Sequence, residues 1–162
     1  MARLEGSCQC GAVRFAVESH TPTPFMRCYC SICRKTAGGG GYAINIMGEA
    51  ATLTVEGGDS LTVWQAEIET DQGRRTSPAR RHFCARCGSA LWLFDPRWPD
   101  WVYPFAGAID SDLPAAPETV HIMLDSKPGW VAVPDGPTDR HFPQYPKESI
   151  ADWHRTRGLD KD

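Results

Sequence analysis

Seven cysteines form three short clusters, and their spacing is typical of metal ligands. The clusters are Cys8-Gln9-Cys10, Cys28-Tyr29-Cys30-Ser31-Ile32-Cys33 and Cys84-Ala85-Arg86-Cys87. A structural zinc site takes four ligands, whereas a catalytic zinc site often takes three and keeps one open position. Seven thiolates therefore divide into one closed site of four and one open site of three, which is a pattern that points to chemistry.

The cysteines are predicted to be metal-binding thiols and not disulfides. Their number is odd, and the pairs Cys8/Cys10 and Cys28/Cys30 are too close in sequence for an easy disulfide. The N-terminus has no apolar signal segment, and no apolar run approaches the length of a membrane-spanning helix. We therefore expect a cytoplasmic protein without membrane contact, in a reducing compartment that leaves thiols free for metal.

Cys8, Cys10, Cys84 and Cys87 are the predicted ligands of the closed site. A glycine follows each pair, at Gly11 and Gly88, and glycine allows the tight turn that points backbone N–H groups at sulfur. Such a site joins the N-terminal segment to a turn 74 residues later, counted from Cys10 to Cys84. Metal binding would then contribute directly to the free energy of folding, so this zinc is predicted to be structural.

Cys28, Cys30 and Cys33 are the predicted ligands of the open site. His20 and His82 are the local candidates for a fourth ligand, but neither has ligand-like spacing, so water or substrate is expected there. Three thiolates on Zn²⁺ leave a centre of net charge −1, which is a poor Lewis acid for making hydroxide. Such a centre is better suited to hold an incoming thiol as thiolate, the nucleophilic form of sulfur.

Arginine and lysine residues beside the triple could serve a substrate. Arg27, Arg34 and Lys35 could offset the anionic zinc and receive carboxylates, although ordinary surface charge is an equally simple reading of each. A second basic stretch, which contains Arg74, Arg75, Arg80 and Arg81, is predicted to be a charged, solvated hairpin. The net charge is −3, so nucleic-acid binding is not expected.

Short strands separated by Gly and Pro are predicted to position these residues in a mainly β domain. A helical turn is predicted after Cys30 with Ser31 as its N-cap, and a C-terminal helix is predicted from Glu148 to Arg157. The segment 128–146 is predicted to be loop. The predicted strands cover residues 13–17, 42–46, 51–55, 61–68, 90–94, 102–106 and 120–124.

Three motifs in order resemble the glutathione-dependent formaldehyde-activating enzyme family, also called the Gfa/centromere-protein-V-type domain. They are Gly6-Ser7-Cys8-Gln9-Cys10-Gly11-Ala12-Val13, Cys28-Tyr29-Cys30-Ser31-Ile32-Cys33-Arg34-Lys35 and Phe83-Cys84-Ala85-Arg86-Cys87-Gly88-Ser89. The stretch from His121 to Trp130 is similar to the family's C-terminal pattern. The family often has His at the position of Tyr29. Any one motif alone would be weak, whereas three linked motifs are specific.

The resemblance implies an Mss4-like fold of folded antiparallel β-sheets stabilised by zinc, with a short C-terminal helix added here. It implies a Gfa-like zinc-binding β domain over residues 1–145, and the remaining residues, 146–162, are predicted to form a helical C-terminal tail. It also implies a structural zinc on Cys8, Cys10, Cys84 and Cys87 and a catalytic-type zinc on Cys28, Cys30 and Cys33, two ions per chain. Tyr29, Arg34 and Lys35 are the expected substrate contacts.

The function that the resemblance implies is that of a carbon–sulfur lyase of the S-(hydroxymethyl)glutathione synthase type. It would condense glutathione, or a similar low-molecular-weight thiol, with formaldehyde or another small aldehyde. The alternative is a non-catalytic carrier of glutathione or another thiol, or an interaction module stabilised by zinc. Thiols add to formaldehyde without a catalyst, so rate enhancement over the spontaneous reaction separates the enzyme from the carrier.

Overall fold

Twelve short strands and two helices are present in the part of the chain described by this computed structural model, which comprises residues 1–20, 22–23 and 25–160. The strands are β1 Ala2–Ser7, β2 Arg14–Ser19, β3 Phe25–Cys28, β4 Ala43–Asn45, β5 Gly48–Glu49, β6 Thr54–Glu56, β7 Leu61–Thr70, β8 Gly73–Cys84, β9 Ala90–Phe94, β10 Trp101–Pro104, β11 Thr119–Ile122 and β12 Asp139–His141. The helices are α1 Ser31–Ala37 and α2 Ile150–Thr156.

The strands form three sheets, which confirms the predicted mainly β fold. Their orders are β1-β2-β6, β5-β10-β9-β8-β7 and β12-β11-β3-β4. The first two sheets are antiparallel throughout. The third is mixed, because β11 runs parallel to both β3 and β12 while β4 is antiparallel to β3. The purely antiparallel expectation therefore does not hold for this sheet, since β3 and β11 are joined by a long crossover and not by a hairpin.

Most predicted strands are present, and the differences fall on several short strands and on the long strand β8. The strand predicted over 90–94 is β9, and the one predicted over 61–68 lies within β7. The segment 128–146, predicted as loop, contains the three-residue strand β12. Strands β1, β3 and β5 are not predicted, and the twelve-residue β8 lies where the sequence predicts only a charged, solvated hairpin. Pairing with distant neighbours, and not local propensity, decides whether segments this short become strands.

Two packed clusters of side chains form the core, and each contains cysteines of one motif set. The first includes Cys8 and Cys84 and is centred on apolar residues such as Phe15 and Trp92, whose rings meet edge to face at 5.2 Å. The second includes Cys28 and Cys33, and its other buried members are Ala43, Phe105, Val120 and Ile122. The core therefore fixes the backbone that carries both candidate metal sites.

Helix α2 confirms the predicted short C-terminal helix. Ser149 is its N-cap and accepts a hydrogen bond from the N–H of Asp152 at 3.0 Å. The division into a domain over 1–145 and a tail over 146–162 stays a prediction, and Lys161 and Asp162 of that tail lie outside the described residues. Among the described helices, none is both long and apolar enough to cross a membrane.

Candidate functional site

Cys8, Cys10, Cys84 and Cys87 converge on one point. Their four sulfur atoms lie within 4.8 Å of one another. The Cys8 and Cys10 sulfurs are 3.5 Å apart, and those of Cys10 and Cys84 are 3.8 Å apart. Zn–S bonds of about 2.3 Å in a tetrahedron separate the sulfurs by about 3.8 Å. The closed cluster, as we call these four residues, therefore fits Zn²⁺ in both ligand type and spacing.

Two similar turns build the closed cluster, one between β1 and β2 and one between β8 and β9. Each contains a glycine in the left-handed region, with φ of +74° at both Gly11 and Gly88. Other residues rarely adopt this conformation. The backbone N–H of Val13 donates to the sulfur of Cys8 at 3.2 Å, which orients that ligand and stabilises its thiolate. The predicted role of the two glycines is consistent with this geometry.

Within the closed cluster, Cys8 and Cys84 are buried while Cys10 and Cys87 are exposed. The Ser89 side chain lies 3.2 Å from the Cys87 sulfur. Hydrogen bonding from Ser89, first from its side chain and then from its backbone, lowers the pKa of Cys87 to about 5. Cys87 is therefore a thiolate at neutral pH, the form that binds a metal.

Cys28, Cys30 and Cys33 form the open cluster, and their sulfurs also lie within 4.8 Å of one another. Cys28 ends β3, Cys30 directly precedes α1, and Cys33 lies in the first turn of that helix. The N–H of Cys33 donates to the Cys30 sulfur at 3.3 Å, so Cys30, and not the predicted Ser31, is the N-cap. Cys28 and Cys33 are buried, whereas Cys30 is half-buried, so the cluster meets solvent through Cys30.

Negative charge in the metal-free open cluster settles on Cys30. Hydrogen bonds from Cys28 and Cys33, followed by backbone N–H groups, hold the pKa of the Cys30 thiol far below its usual value. The same contact with Cys30 raises the pKa of Cys28. Within the open cluster, loss of a proton is therefore favoured at Cys30 over Cys28.

Arg81 belongs to the open cluster although its sequence context predicted a solvated hairpin. Only 7 % of the residue is exposed, and its Nη2 donates to the Cys33 sulfur at 3.6 Å. Its Nη1 is buried without a hydrogen-bond partner, and no carboxylate of the described residues forms an ion pair with it. A buried cation needs a counter-charge, which thiolates of the open cluster provide.

Arg27, Arg34 and Lys35 also carry positive charge that no carboxylate of the described chain neutralises within ion-pair distance. The Arg27 guanidinium lies over the ring of Tyr42, 4.8 Å from its centroid. Arg34 is half-buried on α1 with its Nε unpartnered, and Lys35 is exposed beside it. The two α1 cations are therefore available to an anionic ligand.

Tyr29 has a buried partner that sequence analysis missed. Its ring is fully buried, and its hydroxyl lies 2.8 Å from Nδ1 of His121, whose Nε2 lies 2.8 Å from Oδ1 of Asp139. The carboxylate accepts from Nε2–H, so Nδ1 accepts from the tyrosine hydroxyl. Burial lowers the pKa of His121, in keeping with a neutral ring. Tyr29 thus anchors the backbone between two cysteines, and its predicted contact with substrate stays a prediction.

His20 and His82 do not join the open cluster. His20 Nε2 lies 3.0 Å from a Glu49 carboxylate oxygen, and His82 stacks on Trp92 with ring centroids 5.0 Å apart. Among the described residues, no histidine or carboxylate ligand atom lies within 4.8 Å of all three sulfurs. The donor set of the open cluster is therefore three thiols, which fits a zinc site that keeps one position for an external ligand.

The chain is similar to known proteins over most of its length. Residues 3–126 match the family model described as "Glutathione-dependent formaldehyde-activating enzyme". A Halomonas elongata protein named "Putative glutathione-dependent formaldehyde-activating enzyme" is 62% identical over 158 residues, which cover 98% of each chain. A crystal structure of a Rhodobacter sphaeroides protein is 27% identical with a TM-score of 0.53, and the match covers 68% of this chain and 91% of that one. The chain therefore belongs to the glutathione-dependent formaldehyde-activating enzyme family.

Proposed function

We propose that the chain is a carbon–sulfur lyase that condenses glutathione, or a similar low-molecular-weight thiol, with formaldehyde or another small aldehyde. The open cluster is the proposed site. The observation that carries the proposal is one half-exposed cysteine among three converging thiols, beside a buried arginine that lacks a carboxylate partner. Membership of the family supports the same reaction.

The two cysteine clusters would hold zinc in different roles. Cys28, Cys30 and Cys33 would hold one ion, and the closed cluster would hold a second, structural ion. When bound at the open cluster, zinc supplies positive charge that keeps an added thiol in its thiolate form at neutral pH. The three cysteines leave room for that thiol because no fourth ligand from the described residues lies among them.

Arginine and lysine side chains would bind and orient the thiol substrate. Glutathione carries two carboxylates, and Arg34 and Lys35 on α1 are the proposed partners for them. Arg81 stays on the Cys33 sulfur, where it balances negative charge that gathers as a substrate thiolate arrives. Tyr29 keeps the Cys28–Cys30 backbone in place through His121.

The proposed reaction balances without a redox partner. The sulfur lone pair of the substrate thiolate attacks the carbonyl carbon, and a C–S bond forms. The π electrons of the carbonyl move to its oxygen, which takes up a proton from water at the exposed side of Cys30. The product is a hemithioacetal, and the reverse reaction breaks the same C–S bond.

Exchange NMR between glutathione and its formaldehyde adduct tests the proposal. The wild-type protein is expected to accelerate exchange above the uncatalysed rate, and Cys30→Ser is expected to return it to that rate while the far-UV CD spectrum stays unchanged. Full activity of Cys30→Ser would overturn the proposal. Glutathione binding by calorimetry without acceleration would instead support the carrier.

Cys10→Ser in the closed cluster is the matched control. Cys10 is exposed and lies outside the open cluster. Because the substitution removes one ligand of the closed cluster, we expect it to lower the melting temperature of the protein. The loss of one zinc ligand weakens the link between distant turns, because zinc binding contributes to the free energy of folding. A Cys10→Ser protein as stable as wild type would contradict the structural role of the closed cluster.

A further inference from the structure

An apolar cavity of about 480 Å³ lies between the third sheet and the C-terminal segment. Its volume is within the usual range of small-molecule sites. We call it the C-terminal pocket and define it by its large apolar and aromatic lining residues, Met26, Val120, Phe142, Tyr145, Ile150 and Trp153. Four of these six residues come from the chain after residue 126, where the match to the family model ends.

The C-terminal pocket lies next to the open cluster along strands β3 and β11. Met26 and Cys28 lie two residues apart on β3, so both side chains face the same side of the sheet, about 7 Å apart along the strand. Across the sheet, Met26 pairs with Val120 and Cys28 pairs with Ile122. Phe142, which lines the pocket, also packs against the core cluster that contains Cys28. Pocket and open cluster are therefore neighbours on one sheet face.

Tyr145 forms part of the wall of the C-terminal pocket. Its side chain lines the pocket and is 71% exposed. Its pKa is raised to about 12, first by partial loss of water and then by the charges of Cys28, Cys30 and Cys33. Tyr145 therefore adds an uncharged aromatic ring to the pocket wall at neutral pH.

The charges around the C-terminal pocket disfavour glutathione as its occupant. Its charged lining residues are Glu118, Glu148 and the exposed Lys147. Both acids are already paired with arginines, Glu118 with Arg140 and Arg157 and Glu148 with Arg157. Lys147 could pair with one carboxylate of glutathione, but the other would meet the acids and an apolar wall, and a buried polar group without partners is costly. A hydrocarbon chain brings no polar group of its own into such a pocket and therefore avoids this cost.

We propose that the C-terminal pocket binds the hydrocarbon chain of an aldehyde whose carbonyl carbon meets the thiol at the open cluster. This inference rests on the proposed function and names its second substrate as an apolar, straight-chain aldehyde longer than formaldehyde. The reaction is the same addition, in which one C–S bond forms and the carbonyl oxygen gains a proton. Formaldehyde has no carbon chain and would leave the pocket empty.

A series of straight-chain aldehydes tests the inference. Initial rates of adduct formation with glutathione are measured from propanal to hexanal, each divided by its uncatalysed rate. Full burial of a methylene group favours binding by about fourfold, so in this partly open pocket we expect kcat/KM to rise roughly two- to fourfold per methylene. If kcat/KM does not change with chain length while formaldehyde condensation is accelerated, the proposed role of the pocket is wrong and the proposed function is retained. Absence of acceleration with every aldehyde would overturn both.

Tyr145→Ala and Tyr145→Phe form a matched pair that assigns the effect to the pocket wall. Tyr145 is exposed, so neither change is expected to unfold the protein, and the melting temperatures of both are measured. Tyr145→Ala removes the aromatic wall and is expected to halve the gain in kcat/KM per methylene or reduce it further. Tyr145→Phe keeps the aromatic ring and is expected to keep that gain. An unchanged gain in Tyr145→Ala, or an equal loss in Tyr145→Phe, would contradict the proposal.

Discussion

At the scale of single residues, Arg81 links the long β7–β8 hairpin to the open cluster. Its neighbour Arg80 is exposed, while Arg81 is buried with its guanidinium on the Cys33 sulfur. Successive side chains of a strand point to opposite faces, which explains why adjacent arginines have such different surroundings. The positive charge of Arg81 therefore lies at the open cluster, with its Nη2 3.6 Å from the Cys33 sulfur.

Arg81→Met is expected to lower kcat/KM for thiol–aldehyde condensation by roughly tenfold to a hundredfold. Methionine retains an unbranched apolar stem but removes a charged hydrogen-bond donor, and such bonds contribute about 1.5–3 kcal/mol. The measurement is the exchange rate of glutathione with its formaldehyde adduct at saturating zinc. Arg80→Met, on the exposed face of the same strand, is the control and should retain full activity. Equal exchange rates for the two variants would contradict the assignment of Arg81 to the site.

The cysteines could be predicted from sequence, whereas Arg81 and His121 could not. The ligands within Cys28–Cys33 and within Cys84–Cys87 are close together in sequence, so their spacing alone identifies them as candidate metal ligands. Arg81 is one of four arginines in a short stretch, and only strand pairing distinguishes it from the others. The bond from Tyr29 to His121 spans 92 positions and depends on the parallel pairing of β3 with β11.

At the scale of elements, the turn before β7 supports the turn that carries Cys8 and Cys10. Gly57 has φ of +73°, and a Cβ atom built on it would lie 1.8 Å from the carbonyl oxygen of Ala12. No side chain fits at that distance. The two backbones touch because residue 57 is glycine, and this contact holds the first sheet against the closed cluster.

Gly57→Ala is expected to destabilise the fold by more than about 2 kcal/mol, because the left-handed conformation and the clash with Ala12 both oppose it. Denaturant unfolding of the zinc-loaded protein measures the change. Gly58→Ala is the control, since no atom lies within 4 Å of its added Cβ and its φ is not positive. The free energy of unfolding of Gly58→Ala should stay within about 0.5 kcal/mol of wild type. Similar losses for both variants would contradict the close contact.

Strand length did not decide which strands were predictable, because the three-residue β4 and β6 were predicted whereas the twelve-residue β8 was not. The ten-residue β7 and the five-residue β9 carry their own pattern. Strand β3 has only four residues, yet it positions Cys28 and one wall of the C-terminal pocket. Its identity comes from partners on both sides, β11 and β4, which no local pattern reveals. The pocket itself was not predicted for the same reason.

At the scale of the whole molecule, the two clusters predict two zinc ions per chain that differ in acid sensitivity. Thiols must lose their protons to bind metal, so zinc affinity falls as pH falls. The open cluster has three protein ligands and the closed cluster four, so the open-cluster zinc should leave at the higher pH. A colorimetric zinc indicator, read during stepwise acidification, should record two phases.

Cys30→Ser is the control for the acid titration, because it should lack the early phase and retain the late one. The late phase should coincide with loss of near-UV CD, since the closed cluster joins the turns at residues 8–11 and 84–88. One phase of release from the wild-type protein, or early loss of tertiary structure, would contradict the assignment of roles.

The closed cluster also imposes an order on the synthesis and folding of the chain. Its first two ligands, Cys8 and Cys10, leave the ribosome long before Cys84 and Cys87 are made. During that interval the N-terminal pair cannot complete its four-thiol site and stays open to oxidants. Completion of the closed cluster therefore marks the point in synthesis at which the β1–β2 hairpin becomes joined to the second sheet. Until then, we expect the thiols of Cys8 and Cys10 to depend on cellular thiol reductants for protection.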